Sequence, residues 1–167
     1  LDFEMAFATQ EDVFANAEEV LSAVFEKFGG KPVSPAPFKR IPYAESMLKY
    51  GTDKPDLRNP LIITELSDLF VDSDFKPFAN KCVRGIRGMA SQSKGFFEKM
   101  EAFAKEIGMK GLGYVKVDES FKYLGPIDKF LNDEQREELK NRCALEVGDV
   151  LYFIADNKKM APKFAGQ

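Results

Sequence analysis

Four charges fall within six residues at Asp53, Lys54, Asp56 and Arg58, in the run Thr52-Asp53-Lys54-Pro55-Asp56-Leu57-Arg58 that Pro55 stiffens. Equal numbers of acids and bases at that spacing make either a pre-shaped polar surface or an ion-pair network in which Lys54 and Arg58 neutralise Asp53 and Asp56. A second constellation is the carboxylate pair Asp2 and Glu4, on the polar side of a run whose Leu1, Phe3, Met5 and Phe7 alternate with them. A third is the basic interval Lys81, Arg84, Arg87 and Lys94, with Gln92 nearby. Cations so placed suit either sequence-independent contact with phosphates or a solvated sheet face and helix start. Phe96, Phe97 and Phe103 repeat at helical spacing, which assigns them to packing rather than to base stacking.

The missing residue types restrict the chemistry further. There is no histidine, so a Ser/His/Asp triad, a Cys/His dyad and every His-dependent zinc site are excluded. Cys82 and Cys143 stand far apart and outside any C-x-x-C arrangement, which leaves neither a cysteine-only zinc site nor a disulfide framework. Two reduced thiols and no secretory leader or apolar run of about 18 residues suit a cytoplasmic chain that does not enter a membrane. The net charge is only −3, with 24 basic and 27 acidic residues, so a global nucleic-acid footprint is unsupported. The balance is uneven along the chain: residues 1–30 carry seven acids and one base, whereas residues 31–62 carry six bases and three acids.

These candidates need elements to hold them. With 167 residues, 44% hydrophobic and 16 of them Phe, the chain can build one domain, or one domain with a piece of another. Residues 1–8 alternate as a strand. Thr9 and Asp12 form a helix-start pattern, and apolar residues from Val13 to Phe28 recur at helical spacing until Gly29-Gly30, predicting one amphipathic helix over about 10–28. Seven of nine prolines lie between 32 and 77, where one unit hands over to another. Phe38–Ile41 reads as a short strand, and a short helix over Tyr43, Met47 and Leu48 ends at Tyr50-Gly51. Strand-like runs follow at 61–70, 82–89, 111–117 and 149–155, with helices over about 93–107, over 132–142 with Asn132 and Gln135 in cap positions, and from near Asn157. The pattern is α+β: an antiparallel or mixed sheet covered on one face by helices.

The stretch RIPYAESMLKYGTDKPDLRNPL (40–61) closely resembles the signature of bacterial-type aspartyl-tRNA synthetases, in which R-I-x-Y-x-E-x-M precedes Y-G-[ST]-D-K-P-D-L-R. The opening LDFEMAFATQEDVF resembles the segment after motif 2 of that family. The stretches GIRGMASQSKGFFEKMEAFAKEIGMKGLGYVKV (85–117), GPIDKFL (125–131) and GDVLYFIADNKKM (148–160) are similar to the GAD domain inserted in its catalytic core. The resemblance covers essentially the whole chain, with Thr52 where serine is commoner.

The resemblance implies two domains, a partial class II catalytic core with a strand–helix piece over 1–61 and a GAD insertion domain over 62–167. It implies a parent enzyme, an expected homodimer, that joins aspartate to ATP and passes the aspartyl group to the 3′ end of tRNA, with ATP and Mg²⁺ required there. Asp2 falls where the family has an acid near the substrate ammonium, and a carboxylate supplies both the charge and the acceptors that such a group needs. Glu4 stands behind it. The loop carrying Asp53, Lys54, Asp56 and Arg58 lies at the active-site entrance or between domains, and Arg84, Arg87 and Lys94 are the possible tRNA contacts. The ATP-clamping arginines and metal-binding acids of the family lie in or near motifs 2 and 3, outside this chain. The fragment alone is therefore expected to bind no cofactor or metal and to hold no catalytic residue, and its start at Leu1 is expected of a piece cut from something longer. The alternative is a non-catalytic GAD-type module that binds tRNA or protein.

Overall fold

A computed structural model describes residues 2, 4–89 and 93–167, in two compact units, residues 1–41 and residues 42–167. In the first, helix α1 (Gln10–Phe28) begins with the predicted reciprocal cap: the Asp12 amide donates to Thr9 Oγ1 at 3.3 Å and the Thr9 amide to Asp12 Oδ2 at 2.8 Å. The Thr9 hydroxyl, which donates to Asp12 Oδ2 at 2.7 Å, and then the Thr9 amide hold the Asp12 carboxyl below its ordinary pKa. The helix stops at Gly29, whose amide bonds to the Phe25 carbonyl at 2.7 Å. No residue of α1 is buried, and Val24, Phe25 and Phe28 are exposed.

Among the described residues, neither of the two strands expected in this unit forms. The described part of 1–8 turns at Ala6-Phe7, with Phe7 at φ 55° and fully exposed, while Leu1 and Phe3 lie outside the described residues. A strand needs a neighbour to take its amides and carbonyls, and none of the described strands pairs with this run. Residues 38–41 join no sheet and are bonded to α1 instead. The Phe38 amide donates to the Glu18 carboxylate at 3.0 Å, and Arg40 pairs with Glu11 at 2.8 Å while lying 4.8 Å over the Phe14 ring.

The second unit is built on a five-stranded antiparallel sheet in the order β1-β2-β5-β3-β4, with β1 Ile63–Glu65, β2 Cys82–Met89, β3 Gly113–Val117, β4 Tyr123–Leu124 and β5 Asp149–Asp156. The central pair runs in register from Cys82 opposite Asp156 to Met89 opposite Asp149. Helices α2 (Tyr43–Lys49), α3 (Lys94–Glu106), α4 (Asp133–Arg142) and α5 (Met160–Ala165) complete it. The expected cover on one face is corrected to cover on both. Val83, Val115, Leu151 and Phe153 point to a cluster closed by Leu139 of α4 and by Cys143, which caps its end, while Ile63 and Ile154 point to another closed by Ala104 of α3 and Phe164 of α5. Both faces of β5 are apolar, and only a sheet buried on both sides accommodates that.

Other boundaries move for local reasons. The run 61–70 does not stay extended. Ser67 turns back to donate its amide to Glu65 at 2.9 Å, its hydroxyl also meets that carboxylate, and a 3-10 turn at Ser67–Phe70 carries Phe70 into the core. There Phe70 meets Phe78 edge-on at 5.1 Å. Helix α4 starts as predicted, with Asn132 and Gln135 exchanging amide bonds of 2.8 and 2.9 Å, and Gln135 Nε2 also donates to the Leu69 carbonyl. Strand β4, two residues long, has no periodicity to reveal it.

Candidate functional site

The charged loop is seated in the second unit. Ser46 of α2 is buried, and its hydroxyl donates to the Thr52 carbonyl at 2.7 Å. Gly51 adopts φ +68°, and a Cβ there would lie 2.2 Å from the Pro162 carbonyl oxygen and 2.7 Å from the Gly166 amide nitrogen. Only glycine supplies both the left-handed backbone and that approach to the end of α5. The Lys54 amide donates to Thr52 Oγ1 at 3.2 Å, which closes the turn that Pro55 follows.

The four charges on this loop form two separate pairs. Lys54 meets Asp53 at 2.7 Å, and Arg58 grips Asp56 in bidentate fashion at 2.8 and 2.6 Å. Arg58 holds the Asp56 carboxyl down at about 2, chiefly through that side-chain bond, and Lys54 lowers Asp53 in the same way. All four are exposed. The loop thus presents locally neutralised charge on a fixed backbone.

Behind it opens a cleft of about 620 Å³, which no periodicity signals because its walls come from distant segments. Tyr50 and Pro55 of the loop, Ile86 and Tyr152 of the sheet, and Phe96 and Phe103 of α3 line it. Only Phe97 of the three expected packing phenylalanines is buried. It stacks on Tyr114 at 4.8 Å, with the Lys116 ammonium 4.0 Å above it. Phe96 and Phe103 face the cleft, a correction to their assignment to the core. The reason is that α3 buries a narrow stripe through Phe97 and Ala104. The Tyr152 hydroxyl is buried without a hydrogen-bond partner, and burial raises its pKa.

The basic interval does not make one surface. Arg84 is buried in β2 as the ion-pair partner of Glu65. Arg87 is held by the buried Asp149 at 2.6 Å and by Glu146 at 2.9 Å, and it also donates to the Ala144 carbonyl. Lys94 is exposed at the start of α3, 3.7 Å from Glu98. Lys81 is exposed just before β2, and Gln92 lies outside the described residues. Asp2 and Glu4 are exposed in the first unit. Among the described residues no group of three or more Asp, Glu or Cys side chains converges to hold a metal ion, and no helix is long and apolar enough to cross a membrane.

Residues 80–165 match the GAD domain family. Over its whole length the chain is 47% identical to the aspartate–tRNA(Asp/Asn) ligase of Rickettsia bellii (strain OSU 85-389) and 47% identical to that of Rickettsia canadensis (strain McKiel). It is 46% identical to the ligase of the same name from Rickettsia felis. In each case the chain spans 29% of the relative's length.

Proposed function

This chain belongs to the GAD domain family, and from that premise we propose that it is a segment of a bacterial-type aspartate–tRNA ligase, with residues 1–61 from the catalytic core and residues 62–167 forming the GAD insertion. The observation that carries this reading is that the likeness to the Rickettsia ligases runs through the whole chain, not only through the GAD region. In the longer polypeptide the carboxylate of aspartate attacks the α-phosphorus of ATP and displaces pyrophosphate, and the terminal ribose hydroxyl of tRNA then takes the aspartyl group from the adenylate and releases AMP. Such chemistry depends on clamping and charge neutralisation, because the nucleophile is already ionised. Mg²⁺, when bound with ATP, supplies part of that neutralisation. Among the described residues no carboxylate cluster stands ready for the ion, and no step is assigned to it in this chain.

What this segment contributes is position. Asp2 faces the substrate ammonium, and its charge and two acceptor oxygens orient the amino acid. The loop from Tyr50 to Arg58 joins the catalytic part to the insertion as a fixed corner, because Gly51 is locked against α5 and Ser46 holds the Thr52 carbonyl. The working enzyme is a cytoplasmic homodimer that uses tRNA, aspartate and ATP.

The second reading, a stand-alone GAD-type module that binds tRNA or protein, draws on the two closed apolar clusters of residues 42–167 and on the cleft beside α3. One comparison separates them. Aspartylation of tRNA by the longer polypeptide, lost by at least tenfold in kcat/KM for aspartate when Asp2→Ala is introduced, supports the ligase reading. Absence of charging, together with salt-dependent micromolar binding of tRNA by the 167-residue chain, supports the module instead.

A further inference from the structure

At the end of the sheet where β1, β2 and β5 meet, a second pocket, of about 680 Å³, is lined by Lys81, Arg84, Lys158 and Asn80. Two carboxylates, Glu65 and Asp68, also line it, and both are already engaged. Glu65 accepts from the Ser67 amide at 2.9 Å and is the ion-pair partner of Arg84, whereas Asp68 is paired with Arg142 at 2.7 Å. No ion pair forms on Lys81 or Lys158 among the described residues. The pocket is therefore cationic in its uncommitted groups.

Arg84 makes the pocket more than a patch of surface lysines. It is only 8% exposed, its Nη1 is taken up by the Glu65 carboxylate, and its buried Nε has no hydrogen-bond partner. Its side chain is part of the pocket lining. Burial disfavours its charged form, and an incompletely bonded buried guanidinium costs free energy that a bound oxyanion recovers. A planar guanidinium flanked by two mobile ammonium groups and an amide is a donor set matched to a tetrahedral oxyanion.

We propose that this pocket binds a phosphate group through Arg84, Lys81 and Lys158. The group comes either from the backbone of a nucleic acid or from a small phosphorylated molecule, and the site stands whether or not the ligase reading holds. The test is amide NMR of the 167-residue chain titrated with inorganic phosphate and, separately, with tRNA at 50 and 200 mM salt. Saturable shifts at Asn80–Arg84 and Asn157–Lys158 are expected with inorganic phosphate. They should weaken at least tenfold in the double variant Lys81→Glu/Lys158→Glu, whose exposed positions leave the fold intact, and persist in Lys94→Glu. The same amides responding to tRNA, less at the higher salt, would identify the nucleic-acid backbone as the source, and a response to inorganic phosphate alone would identify a small molecule. No saturable shift at these amides, or shifts that survive the double variant, would overturn the proposal.

Discussion

Gly51 shows how much one residue fixes. Its φ of +68° strains any L side chain, and a Cβ would stand 2.2 Å from a backbone oxygen that has no flexible end to move aside. Gly51→Ala should therefore cost about 2–3 kcal/mol. Gly111, around which a Cβ would meet nothing within 4 Å, is the matched control, expected to change stability by less than about 0.5 kcal/mol when replaced by Ala. Urea unfolding of both variants checks this, and equal midpoints would contradict the close approach. At this scale the sequence was informative where side chains act locally: the caps at Thr9/Asp12 and Asn132/Gln135 and the pairing of Asp53 with Lys54 and Asp56 with Arg58 need only a few residues of chain. It was silent on Arg84 and Arg87, because their partners Glu65 and Asp149 become neighbours only through strand pairing. Three cations spaced along one strand-and-helix run looked like one surface, and the fold sends them to different environments.

Among the elements, β4 and the C-cap of α4 carry titratable groups that burial alters strongly. Desolvation pushes the Cys143 thiol up to about 11 and the Tyr123 hydroxyl up to about 12. The Tyr123 hydroxyl also donates to the Arg136 carbonyl of α4 at 2.9 Å. Both groups have folded values above their ordinary 9.0 and 10.0. Their contribution to stability is complete below pH 9 and is lost as pH rises from there through 11 to 12. The urea midpoint should fall between pH 9 and 11, and should fall less steeply in Cys143→Ala; a midpoint that stays level to pH 11 would contradict the burial of these groups. Helices α1 and α3 were legible because each carries a 3.6-residue apolar repeat that begins at a cap, and α4 through its Asn132/Gln135 cap alone. The expected strands at 1–8 and 38–41 were not formed, since an alternating run becomes a strand only beside a partner. Strand β1 was overestimated because Ser67 bends the chain to bury Phe70, a tertiary demand that alternation does not encode.

For the whole molecule, the repeat-free α+β pattern was enough to expect a sheet with helices, but not its strand order or its second covered face, which depend on contacts far apart in sequence. The cleft beside α3 and the phosphate pocket were illegible for the same reason: each gathers residues from at least three segments. Chain-long identity to ligases of which the chain spans 29% of the length supports the proposal that it is a positioning part of a larger catalyst. The most direct measurement is aspartate-dependent exchange of pyrophosphate into ATP, made in parallel on the 167-residue chain and on the longer polypeptide that contains it. Exchange by the longer polypeptide and none above background by the 167 residues is expected; exchange by these residues alone, or by neither, would contradict the claim.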